Sequence, residues 1–240
     1  ERRAQEELQW LKRYDPLTGL PNRLLLEDRV GEAIVHARQH EHAVAVLCAN
    51  LDRFRYVNES LGHAVGDRVL RIMAERFSTV LGEAATVSRL SGDVYVILLP
   101  EIQGEGEAVA VADQLLAAAA QIMDVDGTEI SLTASLGIAL YPEDGDSFEA
   151  LLKHSDSALI HAREEGSNSY RFYTNDLNSR ARRLLGLSSE LHQALENDWF
   201  VLHYQPQVCA KKGSIVGVEA LVRLNHPVRG LIPPGDFISV

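Results

Sequence analysis

Residues 89–95, Arg89-Leu90-Ser91-Gly92-Asp93-Val94-Tyr95, lie between two apolar runs of β type, Ala85–Leu90 and Val94–Leu99. Small and turn-forming residues between two such runs signal the tight turn of a hairpin. Upstream of it the periodicity predicts a strand near 43–50, a short helix near 53–60 and a helix from about Asp67 to Leu81. Downstream it predicts a helix over 105–121, strands near 122–126 and 129–140 joined by Asp126-Gly127, a helix over 148–165 closed by Gly166, and a strand over 168–173. This order gives an α/β (α+β) layer in which helices cover a largely antiparallel sheet.

Outside this block the chain changes character twice. Residues 1–13 place Leu8 and Leu11 three apart among charged residues, the pattern of an amphipathic linker helix. Residues 14–174 then form the main domain, opened by the turn-rich Asp15-Pro16-Leu17-Thr18-Gly19-Leu20-Pro21-Asn22-Arg23, in which Asn22 is placed to cap a helix over 22–40. A second unit occupies 175–240, with a helix near 177–197, a strand Phe200–Val208, a turn at Ala210-Lys211-Lys212-Gly213 and a strand Ile215–Leu224.

At 240 residues the chain suffices for one full domain and part of another. Its start at Glu1 and its apolar end, Phe237-Ile238-Ser239-Val240, read as an excised fragment. A net charge of −11 argues against a nucleic-acid partner, because phosphate-backbone affinity rests on clustered Lys and Arg. A small anionic nucleotide carried with Mg²⁺ is compatible with it. Cys48 and Cys209 stand apart in apolar contexts, as expected of buried thiols in a reducing compartment. The longest apolar stretches fall short of the roughly 20 residues that cross a bilayer, and no secretory leader is visible. A cytoplasmic location is expected, with any sensor domain or membrane anchor upstream.

The hairpin residues Ser91-Gly92-Asp93-Val94-Tyr95 resemble the signature of the GGDEF family, diguanylate cyclases that condense two GTP into cyclic di-GMP. The opening segment matches that family's Asp-x-Leu-Thr-Gly-Leu-x-Asn-Arg pattern at every specified position. The resemblance implies a palm-like nucleotide-cyclase fold and a homodimer as the working unit. It also implies that carboxylates gather Mg²⁺ beside a triphosphate, neutralising charge that develops in phosphoryl transfer. Here the fourth signature position is Val94, and Asn50 in Asn50-Leu51-Asp52-Arg53-Phe54-Arg55 stands where the family has its metal-binding aspartate. Asp93 and Asp52 are the carboxylates left as metal ligands. Losing two charged contacts at about 1.5–3 kcal/mol each removes orders of magnitude in rate, at tenfold per ~1.4 kcal/mol. No useful cyclase turnover is expected, so the domain is a degenerate one with no catalytic residue assigned.

Nucleotide recognition is better kept. Asn58 and Asp67 match the guanine-contacting positions, Gly92 the signature glycine, and Arg55 and Arg163 the phosphate-facing cations. Ser167 replaces an arginine of the family's Ala-Lys-x-x-Gly-Arg-Asn ending, and Gly82-Glu83-Ala84-Ala85 lacks its inhibitory product site. A structural alternative stands beside this reading: Asp67 as the N-cap of its helix, Asn58 as a helix terminus and the arginines as solvated surface.

In the second unit, Tyr204-Gln205-Pro206 and Val218-Glu219-Ala220-Leu221-Val222-Arg223 resemble the opening of the EAL family, phosphodiesterases that linearise cyclic di-GMP in a TIM-like barrel. The resemblance implies Glu219 as a metal ligand and Gln205 and Arg223 as cyclic di-GMP contacts. About 65 residues cannot complete a barrel of roughly 250, so hydrolysis needs later strands. The combined expectation is a cyclic di-GMP signalling fragment whose first domain binds GTP and regulates a phosphodiesterase; residual cyclase activity and a purely structural dimerisation or relay role are the alternatives.

Overall fold

The computed structural model describes residues 10–174 and, beyond them, 191, 194, 195, 197, 199–209, 211, 213–227, 230–232 and 234. The chain divides into two units at Leu177/Asn178. The linker expected over 1–13 and the helix expected over 177–197 fall mostly outside the described residues; Trp10 and Leu11, and Leu191, Ala194 and Leu195, are helical.

The first unit runs α1 (Arg23–His40), β1 (Ala43–Leu51), α2 (Phe54–Leu61), α3 (His63–Leu81), β2 (Thr86–Ser91), β3 (Val94–Ile102), α4 (Glu105–Ala120), β4 (Met123–Val125), β5 (Thr128–Ile130), β6 (Ala134–Tyr141), α5 (Phe148–Glu164) and β7 (Tyr170–Phe172). Five strands form one sheet in the order β2-β3-β1-β6-β7, antiparallel at every pairing except β6–β7. β4 and β5 make a separate hairpin. The mixed α/β layer read from the sequence is therefore the fold observed.

β1 sits at the centre, and its side chains divide by parity. Ala45, Leu47, Ala49 and Leu51 pack with α2, α3 and α4, whereas Val44, Val46 and Cys48 pack with α1 and α5. That double burial is why β1 reads as a continuous apolar run rather than an alternating one. It also pushes the Cys48 thiol up from its ordinary pKa, chiefly by desolvation and then by the charge of Asp156. α5 lies against β6 at Gly137, where a Cβ would stand 2.0 Å from the Ser155 carbonyl oxygen and 2.2 Å from the Leu159 nitrogen.

Local chemistry explains where the elements differ from expectation. Asn22 caps α1, accepting from Leu24 N and Leu25 N at 3.0 and 3.2 Å. The strand expected over 129–140 is broken at 131–133, because Asp52 N donates to Thr133 O at 2.8 Å and draws this segment to the head of α2. α3 begins at His63, not Asp67: Gly62, at φ +87°, ends α2 by donating to Asn58 O at 3.0 Å and releases the next helix at once. Asp67 is therefore inside α3 and not its N-cap.

The signature hairpin is clamped to the segment that opens the domain. Arg89, 8% exposed, donates through Nη1 to both Asp15 carboxylate oxygens at 2.9 Å and through Nε and Nη2 to Gly92 O at 2.9 and 2.7 Å. Asp15 also accepts from the Thr18 hydroxyl and Thr18 N, and Arg89 N donates to Pro21 O. Burial alone would raise the Asp15 carboxyl; the Thr18 and Arg89 hydrogen bonds outweigh it and hold the pKa below its usual value.

The second unit contains β8 (Phe200–Val208), β9 (Ile215–His226) and β10 (Gly230–Ile232), an antiparallel sheet in the order β10-β9-β8. No parallel strand pair of a barrel is present among its described residues.

Two stability outcomes follow. Gly137→Ala drives a methyl into the backbone of α5 and should cost about 3 kcal/mol in urea unfolding. Arg89→Ala leaves Asp15 without its cation and should cost about 3–5 kcal/mol. Because the folded-state pKa of Asp15 is depressed, its contribution is complete above about pH 4 and is lost as pH falls through the folded value. The stability gap between the wild type and Asp15→Asn should therefore close on acidification.

Candidate functional site

The C-terminal end of β1 gathers most of the residues singled out in the sequence. Asn50, 6% exposed, lies opposite Val94 in the β1–β3 ladder and opposite Ser135 in the β1–β6 ladder. The two positions that lack carboxylates are thus direct cross-strand partners. Val94 turns its isopropyl group to the cluster on the α1 and α5 side of the sheet, together with Leu90. Gly92 and Asp93 form the tip of the turn, Gly92 at φ +53°, and Leu51 N meets Asp93 O at 3.4 Å. Tyr95, the last signature residue, is fully buried, edge-on to Phe77 at 5.4 Å, with its hydroxyl donating to Leu70 O at 2.7 Å.

Asp52 is 4% exposed, and both carboxylate oxygens are taken. Oδ1 accepts from the Ser135 hydroxyl at 2.8 Å; Oδ2 accepts from the Thr133 hydroxyl at 2.7 Å and from Asn168 N at 3.0 Å. These donors stand 81, 83 and 116 residues away in sequence. Spacing gives no means of finding them, and sequence reading missed all three.

Past Asp52 the chain turns through Arg53, a non-glycine residue at φ +58°, into α2. A recess of about 600 Å³ opens there, lined by Arg55 of α2 and Arg163 of α5 together with Asp52, Arg53, Glu164 and Ser167. The two cations expected to face phosphate therefore share one recess, and Arg53 adds a third. Arg55 also pairs with Glu59 at 3.3 Å on the exposed face of α2, a contact worth little in water. A wider cleft of about 1010 Å³ adjoins the recess through Asp52, Arg53, Tyr56 and Ser167 and is walled by Val57, Leu61 and the 130–133 segment.

Asn58 and Asp67 line neither recess nor cleft. They stand instead on α2 and α3, where the Asn58 amide lies directly over Gly66. Asp67, next in the chain, is exposed and has no hydrogen-bonding or charged partner among the described residues. An amide and a carboxylate together carry donors and acceptors of the kind a guanine edge pairs with.

In the second unit the three expected residues share one sheet face. Gln205 is the cross-strand partner of Glu219, and Arg223 lies four residues along β9 from Glu219, so all three point to the same side. Gln205 and Glu219 are exposed, and Arg223 Nη1 donates to Val222 O at 2.8 Å. Among the described residues no group of three or more His, Cys, Asp or Glu side chains is arrayed to hold a metal ion, and no helix is long and apolar enough to cross a membrane.

Comparison with known proteins agrees with this layout. The family described as "Diguanylate cyclase, GGDEF domain" matches residues 12–169, and the EAL domain matches residues 188–240. MucR of Pseudomonas aeruginosa PAO1, a bifunctional diguanylate cyclase/cyclic di-GMP phosphodiesterase, is 42% identical over 238 residues, covering 99% of this chain and 35% of MucR. PdeR of Escherichia coli K12, a cyclic di-GMP phosphodiesterase, is 38% identical over 239 residues, covering 100% of this chain and 36% of PdeR. The chain thus spans about a third of the length of these curated relatives. Among solved structures, the GGDEF domain of PA1120 (TpbB or YfiN) from Pseudomonas aeruginosa superposes with a TM-score of 0.68 at 36% identity, over 70% of this chain and 99% of that domain. With residues 12–169 matched by the family and the same fold in a solved relative, the chain belongs to the GGDEF family and continues into a short stretch matched by the EAL domain.

Proposed function

We propose that this chain is the regulatory part of a cyclic di-GMP signalling protein: a GGDEF domain that binds GTP without cyclising it and biases an EAL phosphodiesterase that follows. The observation carrying this reading is the register of β1 against β3, in which Asn50 faces Val94. Both lost anions fall on one point of the sheet, so neither covers for the other. Asp52 keeps its place beside them, lining the recess with its carboxylate held by three donors. Asp93 and Asp52 are the carboxylates left to face Mg²⁺, and with no anion at positions 50 and 94 too little of a triphosphate's charge is neutralised for transfer.

Binding makes fewer demands than turnover. Arg53, Arg55 and Arg163 line a recess suited to the phosphates, and guanidinium groups hold phosphate oxygens without metal. Asn58 and Asp67 supply the base end. Regulation then requires that GTP prefer one arrangement of the chain over another, since equal affinity for both shifts nothing. Glu219, Gln205 and Arg223 on one face of β8 and β9 are the start of a metal and cyclic di-GMP site that later strands complete.

Calorimetric titration with GTP tests the reading. The wild type should bind GTP below millimolar concentration with and without Mg²⁺ and yield no cyclic di-GMP on long incubation; Asp67→Ala should weaken binding at least tenfold. Absence of binding, or a cyclase rate ordinary for the family, refutes it. Asn50→Asp combined with Val94→Glu should restore cyclisation by about two orders of magnitude or more, as the return of two contacts at about 1.5–3 kcal/mol each implies, while lowering stability because Val94 leaves an apolar cluster.

A further inference from the structure

We infer that Gly66 is the positioning residue for base recognition: by carrying no side chain it seats the Asn58 carboxamide against α3, one residue before Asp67. The inference rests on the guanine reading for its purpose, but the seating itself is a matter of packing.

A Cβ on Gly66 would stand 1.9 Å from Asn58 Oδ1 and 3.1 Å from Asn58 Cγ, with Phe54 Cζ next at 3.2 Å. No backbone atom is among these neighbours, so an added methyl would not force α3 away from α2. One of two side chains must yield. Phe54 is 6% exposed and wedged among Leu51, Val57 and the α3 core residues, whereas Asn58 is half-buried with solvent on its far side. The amide is the group that moves.

Asn58 is held at its other end too. Its carbonyl accepts from Gly62 N at 3.0 Å, and Gly62 O accepts from Gly66 N at 3.2 Å. The backbone of residues 58–66 is thereby a closed chain of contacts, and the side chain of Asn58 completes it by lying flat on Gly66. The amide is thereby placed one residue before the exposed Asp67 of α3. Gly66 is the fourth residue of a 19-residue helix, where alanine is the better helix former. A glycine there is explained by the room it leaves.

Four versions of the full chain decide the matter: wild type, Gly66→Ala, Asn58→Ala and the double variant. Each is titrated with GTP and with ATP and melted thermally. Gly66→Ala should raise the GTP dissociation constant at least tenfold, abolish any preference for GTP over ATP, and match Asn58→Ala; the double variant should be no worse than either single one. In melting, Gly66→Ala should lower the midpoint in the presence of Asn58 and raise it in the Asn58→Ala background, because the methyl then has space and the helix gains. Wild-type GTP affinity in Gly66→Ala, or losses that add in the double variant, would overturn the assignment. If the wild type itself fails to bind GTP, the guanine reading falls and takes the purpose of Gly66 with it, while the reversal of sign in melting still decides whether Gly66 seats Asn58; the same sign in both backgrounds means that it does not.

Discussion

The carboxylate of Asp52 holds together the end of the sheet that borders the arginine-lined recess. It sits where β1 gives way to α2, and its three donors come from the approach to β6, from β6 itself and from the approach to β7. A buried anion needs such donors, since desolvation without them costs several kcal/mol. Satisfied in this way, it joins three strand ends that are remote in sequence and fixes where α2 starts. The left-handed Arg53 that follows turns the chain over the recess. Asp15 does the same for the hairpin: it holds Arg89, and Arg89 holds the Gly92 carbonyl, so the tip of the turn is anchored from outside its own strands.

Much of this was legible in the sequence, for identifiable reasons. The hairpin could be read because its flanking runs are apolar and its turn residues have strong local preferences. The cap of α1 could be read because Asn22 acts on residues two and three places on. The break between β5 and β6 could not, because the run Glu129–Leu140 is periodic enough for one strand and the force that breaks it comes from Asp52. The start of α3 was misplaced for a similar reason. His63-Ala64-Val65-Gly66 contains a glycine, which argues locally against helix, and what sets the boundary is the turn at Gly62 that ends α2.

The site residues divide in the same manner. Asn50 and Val94 were recognisable one at a time as missing carboxylates, but that they face each other is a fact of register. Arg55 and Arg163 were each ambiguous with ordinary surface arginines; their common recess is what the fold adds. Asp52 reads as a metal ligand in the sequence, and what the fold adds is the set of donors, Thr133, Ser135 and Asn168, that holds its carboxylate at the edge of the recess.

The separation of the base end from the phosphate end bears on how a module of this kind can lose chemistry and keep recognition. Asn58, Gly66 and Asp67 stand on α2 and α3, away from the β1–β3 ladder in which the two anions are absent. In the proposed reading, an amide and an isopropyl group in place of those anions weaken the hold on Mg²⁺ at the reacting phosphate. The replacement also removes negative charge from the neighbourhood of a highly anionic ligand, where like charges repel. In the proposed reading these two consequences work in opposite directions: the barrier to cyclisation rises, while metal-free occupancy by the nucleotide becomes easier, since Arg53, Arg55 and Arg163 meet the phosphates with fewer competing carboxylates. On that reading the site is suited to sensing GTP over many cycles without consuming it.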